Sequence, residues 1–140
     1  MKIFFDTNIL LDVLLKRPQH FDASAKLWTA AESSHVQGYI SAISFNNIYY
    51  IVNKLAGIKT AQKVLITLRD SFTMVDCTTQ IVNQAIDAKM KDFEDAIQYY
   101  SALHAKCNYL LTRNIKHFPL ESIVAQTPEQ FLATFKEPIN

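Results

Sequence analysis

Three carboxylates crowd into four positions of the stretch KMKDFEDAIQYY (89–100): Asp92, Glu94 and Asp95. A fourth acid, Asp6, closes the apolar run IFFD near the start of the chain. A hard cation such as Mg2+ takes oxygen ligands, keeps several waters, and is held by one or two carboxylates together with substrate phosphate. Asp6 with Asp95, assisted by Asp92, meets that requirement. A cation there would acidify a water and steady the charge growing on a phosphodiester. Acyl transfer fits less well, because the chain has no serine elbow, no HExxH and no glycine-rich phosphate loop.

Each acid also has an ordinary structural use. Asp6 or Asn8 could cap the helix that follows the first apolar run. Asp92 could be the N-cap of a helix with Asp95 at its third position, both favoured by the helix dipole. At that spacing the two side chains are neighbours, with Cβ atoms about 5–6 Å apart. Capping and cation binding do not exclude each other, since the dipole that favours the caps also keeps the carboxylates ionised. For Asp6 the cost of desolvation is the stronger signal. A carboxylate placed directly after a buried strand is expensive unless it is paired or coordinated.

The elements that must position these residues can be read from periodicity. Short β-rich runs occur at 2–5, 38–41, 72–75, 109–112 and 122–125, and helical patterns separate most of them. Helices are expected at 8–17, 21–34, 44–57, 60–71, 79–89, 94–107 and 127–135. In the third, Phe45, Ile48, Val52 and Leu55 recur at helical spacing before Gly57. The last has Thr127 as cap, Pro128 in the first turn and Gln130 at the capping-box position. Strands alternating with helices predict an α/β fold, with a mostly parallel sheet flanked by helices on both faces. In such sheets ligands sit beyond the carboxyl ends of the strands, where strand order reverses. The residues ending the predicted strands there are Asp6, Thr7 and Asn8; Ser41, leading to Ser44; and Thr112, Arg113 and Asn114.

With 140 residues, 49% of them hydrophobic, the chain suits one domain spanning 1–140 with a real core. Its 14 basic and 13 acidic residues give a net charge of +1, which argues against wrapping a duplex or lying on a membrane but leaves room for a local nucleic-acid groove. MKIFFDTN enters a strand at once rather than a signal peptide, and no apolar run of about 20 residues follows. Cys77 and Cys107 are in no metal or redox spacing, so a reducing cytoplasm and two buried thiols are expected. The histidines His20, His35, His104 and His117 are in no ligand spacing either. His104 is expected to pack inside its helix, and His117 to lie on a surface loop. Tyr49, Tyr50, Tyr99 and Tyr100 could stack bases, although on helices facing a sheet they belong more naturally to the core.

Four ordered segments, FFDTNILLDVLL, ISAISFNNIYYIV, DFEDAIQYYSALHAKC and YLLTRNIKHF, together resemble the PIN-domain family, and most closely its VapC-type toxin ribonucleases. The resemblance covers nearly the whole chain. It implies a three-layer sandwich around a five-stranded parallel sheet, and Mg2+- or Mn2+-dependent cleavage of single-stranded RNA. It also implies a frequent homodimer and a cognate antitoxin whose tail occupies the groove. The family's first acid falls on Asp6, and the acid opening the later helix on Asp95, with Asp92 an additional acid. The polar residue ending strand four falls on Asn114, beside Thr112. Many members carry a Glu early in the helix after strand two; here that position is Asn47, and residues 36–69 hold no Asp or Glu at all. Asn47 can offer a carbonyl oxygen or hold a water, but no charge. For RNA contact the basic residues Lys16, Arg17, Lys54, Arg113 and Lys116 are available.

Two other functions remain open on the sequence. A PIN-like module that had lost catalysis with the missing Glu would bind RNA or an antitoxin without cutting. A phosphatase or receiver domain of similar build would want a second Asp at position 8, where Asn8 stands, or an acid pair before the first strand, where there is none.

Overall fold

The structure is a computed structural model and describes residues 1–119 and 122–135. Its elements follow in the order β1 (Lys2–Phe5), α1 (Thr7–Leu14), α2 (Phe21–Glu32), β2 (Gln37–Ser41), α3 (Ala42–Ala56), α4 (Ile58–Ser71), β3 (Thr73–Val75), α5 (Thr79–Ala88), α6 (Phe93–His104), β4 (Tyr109–Leu111), a 3-10 turn (Ile115–His117), β5 (Val124–Gln126) and α7 (Pro128–Thr134). The five strands form one sheet in the order β3-β2-β1-β4-β5, and every pair is parallel. This is the α/β architecture expected from the alternating pattern.

Alternation along the strands sorts the side chains between two helical layers. Ile3 and Phe5 of β1, Ile40 of β2 and Leu111 of β4 join Leu10, Leu27, Ile48, Leu68 and Phe131 in one core, against α1, α2, α3, α4 and α7. Phe4 and Leu110 point the other way and pack on Tyr99 and Ala102 of α6. A continuation of that layer, Ile81 and Ala85 of α5 against Ala96 and Ile97 of α6, locks the two helices together. Burial on both faces explains why the central strands β1 and β4 read as near-continuous apolar runs, while the edge strands β3 and β5 stay partly exposed.

One close approach decides a residue type. Phe72 lies over β2 at Gly38, where an added Cβ would come within 2.7 Å of its ring and 2.9 Å of the Ala31 Cβ. The same ring meets Phe5 and Trp28 edge-on, at 5.0 and 5.2 Å between centroids. Gly38 therefore lets an aromatic cluster close over the sheet.

Strand order reverses between β1 and β4, because β2 and β3 extend the sheet on one side of β1 and β4 and β5 on the other. The switch point lies at the carboxyl ends of those two strands. The third helix ends as its spacing predicts, at Gly57 with φ 89°, and its last apolar residue, Leu55, is 67% exposed. One sequence expectation changes. His104 sits exposed at the end of α6 rather than packed, its Nε2 2.7 Å from the side-chain oxygen of Gln84 on α5.

Candidate metal centre and cleft

The β1–β4 ladder sets Phe5 beside Leu111, and the Asp6 amide continues it by donating to the Leu111 carbonyl at 3.0 Å. The next rung therefore places Asp6 beside Thr112. The Thr112 hydroxyl donates to Asp6 Oδ2 at 2.9 Å. Both side chains are buried. Asp6 also precedes α1 with extended backbone (φ −63°, ψ 147°), but its side chain makes no capping hydrogen bond. Capping thus does not explain this acid.

Nor does an ion pair. No basic group bridges Asp6 among the described residues. Burial, with lesser help from Asp95 and Glu94, pushes its carboxyl from 3.8 up to about 7, against the stabilising Thr112 hydrogen bond. Burial and the neighbouring Asp92 raise both Glu94 and Asp95 as well. His117 opposes the shift of Asp95, with Nδ1 3.2 Å from Asp95 Oδ2. Three acids therefore share one region of the rim and repel one another.

A buried hydrogen-bond network ties the starts of α1 and α3 to the middle of α6 beneath that rim. The Oγ atoms of Thr7 (α1) and Ser44 (α3) lie 2.7 Å apart. Gln98 of α6 donates its amide to both, at 3.1 Å to Thr7 and 3.3 Å to Ser44. All three side chains are buried. Such networks specify one arrangement of the elements they join.

The remaining expected site residues fall as follows. Asp92 is exposed and caps α6, its Oδ1 accepting from the Asp95 amide at 3.0 Å. It acts on Glu94 and Asp95 through its charge and is no contributor to the shift of Asp6. Asn114 is exposed just beyond β4, where its amide donates to the Thr112 hydroxyl at 3.2 Å. Asn47 lies in the first part of α3, with its side chain near Glu94. Asn8 is half-buried in the first turn of α1 and makes no side-chain hydrogen bond among the described residues; its neighbour Thr7 carries the polar contacts. Lys116 is exposed. Arg17 and Arg113, expected as free RNA contacts, are instead drawn onto Asp12. Arg17 Nη1 stands 3.1 Å from Asp12 Oδ1, and Arg113 Nε 3.3 Å from Asp12 Oδ2.

Reasoning from sequence passed over three residues. Asp12 interrupts the apolar run NILLDVLL, and a charge inside such a run is a signal for a buried ion pair. Glu94 was named with the two aspartates but given no role in the site, although it stands one turn from Gln98 on the same helix face. His117 gave no signal, since its partner Asp95 is fixed only by folding.

Among the described residues no three His, Cys, Asp or Glu side chains stand ready as a metal cage. The oxygen-only donors nonetheless fit a hard divalent cation, which needs few protein ligands, and the buried Asp6 has no other counter-charge. Beside the rim, a groove of about 550 Å3 runs along α3, lined by Asn46, Asn47, Asn53, Tyr49, Tyr50 and Glu94 among others. Tyr50 is 66% exposed there, unlike the buried Tyr99.

A sheet in this order, with an acid at the switch point and further acids at the start of α6, defines an α/β domain with a polar cleft at its strand ends. The family model for the PIN domain matches residues 2–116, and the chain belongs to that family. Solved structures share the fold. The DNA-bound VapBC complex from Salmonella typhimurium matches with a TM-score of 0.71 at 17% identity, over 91% of this chain and 98% of that one. A toxin–antitoxin complex from Klebsiella pneumoniae matches with a TM-score of 0.65 at 24% identity, over 90% and 97%. VapC20 of Mycobacterium tuberculosis, a toxin that cleaves the sarcin–ricin loop, matches with a TM-score of 0.64 at 15% identity, over 77% and 86%. No curated protein matches the chain in sequence.

Proposed function

We propose that the protein is a divalent-metal-dependent ribonuclease acting on single-stranded RNA, and the toxin of a toxin–antitoxin pair. The observation that carries this reading is Asp6: a buried carboxylate at the switch point of a parallel sheet, without a basic partner among the described residues, facing more acids instead. The toxin–antitoxin setting is drawn from the structural neighbours, which are toxins bound to antitoxins. With it come a small antitoxin as partner, a homodimer and a cytoplasmic location. Among the described residues no helix is long and apolar enough to cross a membrane.

In this reading Asp6 and Asp95 hold Mg2+ or Mn2+, and Asp92 adds negative potential from the helix cap. The cation supplies positive charge where a phosphodiester gains negative charge, and acidifies a nearby water. Thr112 fixes the Asp6 carboxylate through Oδ2, and His117 steadies Asp95. Asn114 stands at the mouth of the cleft, placed to donate to a phosphate oxygen. The exposed Tyr50 offers a face on which a base can stack, and Lys116 offers positive charge.

The test is cleavage of single-stranded RNA by purified protein with Mg2+ or Mn2+, beside an Asp6→Asn control and a chelator control. Cleavage should fall at least about a hundredfold in both, the size of a few kcal/mol of lost transition-state stabilisation. Equal cleavage by Asp6→Asn would assign the activity to a contaminant. A second reading is favoured by the neutral Asn47 and the absence of a complete cage among the described residues: a module that binds RNA or an antitoxin without cutting. It predicts RNA binding with no cleavage under any metal.

A further inference from the structure

The segment that leaves β4 touches Asp6 at one end and Asp95 at the other. Thr112 gives its hydroxyl proton to Asp6 Oδ2 at 2.9 Å, and further on His117 Nδ1 lies 3.2 Å from Asp95 Oδ2. The Thr112 amide continues the sheet by donating to the Gln126 carbonyl at 3.0 Å. Beyond it the backbone hydrogen bonds turn inward. The Asn114 amide donates to the Thr112 hydroxyl at 3.2 Å, and the His117 amide to the Asn114 carbonyl at 3.0 Å. Among the described residues, two polar side-chain contacts tie 113–117 to other elements. One is the exposed His117 on Asp95. The other is Arg113, whose Nε lies 3.3 Å from Oδ2 of the fully buried Asp12.

The peptide that joins Arg113 to Asn114 carries the N–H that occupies an acceptor position of the Thr112 hydroxyl. A hydroxyl has one proton to give. With the Asn114 amide on one side of the oxygen and Asp6 on the other, that proton goes to Asp6. The Thr112 rotamer is thus set by a peptide plane next to Arg113. Asp12 stands on α1, the helix that starts immediately after Asp6, so the path from Asp6 through Thr112, Arg113 and Asp12 returns along α1 to Asp6.

Asp12 treats its two cations differently. Arg17 Nη1 donates to Oδ1 at 3.1 Å. Arg113 Nε and Asp12 Oδ2 are both buried, and neither makes a hydrogen bond, although they lie 3.3 Å apart. That contact is ionic and out of line. Arg17 already supplies the counter-charge that a buried carboxylate needs. A second guanidinium held against it without a directed bond adds desolvation cost, and what it adds in return is an anchor for the segment beside the cleft.

We propose that Asp12 is a positioning residue of the cleft: through Arg113 it fixes the Asn114 peptide, which turns the Thr112 hydroxyl onto Asp6. This rests on the reading of Asp6 as a metal ligand. Asp12 itself, fully buried, reaches neither the cation nor RNA. It acts on the direction of the Asp6 carboxylate.

The test compares Arg113→Met, Arg113→Lys and Arg17→Met in the full chain, with the stability of each followed by chemical denaturation. The two arginines meet the same carboxylate and are alike in exposure, 29% and 32%, but only Arg113 adjoins Thr112. The first readout is the Thr112 χ1 angle, from NMR couplings to its methyl carbon in metal-free protein. The second is kcat and KM for single-stranded RNA with Mn2+. In the parent chain Thr112 holds one staggered rotamer. Arg113→Met should let it populate more than one. It should also lower kcat at least about tenfold with KM within about twofold, since a slightly misplaced reacting group costs up to about a hundredfold. Arg17→Met should lower stability and leave both the rotamer and kcat as they were. Arg113→Lys should keep one rotamer and most of the activity, because an ionic contact without a directed bond does not need the guanidinium fork.

A single Thr112 rotamer and unchanged kcat in Arg113→Met would overturn the proposal. Equal losses in Arg113→Met and Arg17→Met would overturn it as well, by making Asp12 a general support of the fold. So would a raised KM with kcat preserved, which would make Arg113 an RNA contact. A parent chain that cuts no RNA would instead bring down the nuclease reading; the Thr112 couplings, taken without metal or RNA, would still decide the link from Asp12 to the Asp6 partner.

Discussion

Asp6 and Asp12 are two buried carboxylates six residues apart, one just before α1 and one inside it, and the fold treats them in opposite ways. Asp12 is fully buried and receives Arg17 and Arg113 at 3.1 and 3.3 Å. Asp6 is buried almost as deeply, has no basic partner among the described residues, and faces Glu94 and Asp95. The first arrangement is a joint: it fastens the loop after β4 to α1. The second stores unfavourable charge at the switch point. A fold that sets two cations against one acid, one of them hydrogen-bonded to it and the other in ionic contact alone, had the means to set one against the other acid. Leaving Asp6 uncompensated is what a cation site requires before its cation arrives.

The contrast is broken most sharply by substituting each acid in turn. Asp12→Asn should destabilise the protein by about 2–4 kcal/mol in chemical denaturation, somewhat below the cost of breaking a fully buried pair because both arginines are partly exposed. Asp6→Asn should do the reverse. In metal-free solution at pH 8 it removes a desolvated charge and keeps an acceptor for Thr112, so stability should rise by about 1–3 kcal/mol. Destabilisation by Asp6→Asn of the size seen for Asp12→Asn would make both acids structural.

The pH dependence sharpens the same point. The folded-state pKa of Asp6, about 7, lies above its ordinary 3.8. Between those values the folded chain holds a proton that the unfolded chain has released, so stability falls as pH rises through that window. The raised values of Glu94 and Asp95 act in the same direction. Thermal melts of the metal-free protein should therefore show Tm declining from about pH 4 to pH 7, and Asp6→Asn should flatten most of that slope. An unchanged slope in the variant would remove Asp6 as its source. The smallest effect belongs to His117→Ala. It breaks a contact whose histidine is 51% exposed, worth no more than about 0.5 kcal/mol in stability.

Much of this architecture was open to inspection before folding was considered. Short β-rich runs marked all five strands, and turn and cap residues marked the helix ends, because these signals are local. Thr127, Pro128 and Gln130 form the capping box their spacing announces, with both of its reciprocal hydrogen bonds present. Asp92 caps α6 as local spacing allowed. The place of Asp6 at the carboxyl end of β1, beside the switch point, followed from a topological rule about strand ends.

What stayed hidden depends on packing between distant segments. Nothing near Arg17 or Arg113 announces that both turn to Asp12, since that meeting needs α1 and the end of β4 to be brought together. The meeting of Thr7, Ser44 and Gln98 was equally closed to inspection: three polar side chains that are unremarkable in sequence become a buried network only in the fold. His104 misled because a place inside a helix says nothing of whether a neighbouring element covers that face; it is exposed and meets only Gln84 of α5.

The most direct test of the central claim is the thermal stability of the wild-type chain and of Asp6→Asn at pH 8, each with and without Mn2+. A cation that binds the folded chain at one hundred times its Kd adds about 2.7 kcal/mol. The account predicts that Mn2+ raises the Tm of the wild-type chain by several degrees and leaves Asp6→Asn, already the more stable in its absence, where it was. An equal rise in both, or none in either, would contradict it.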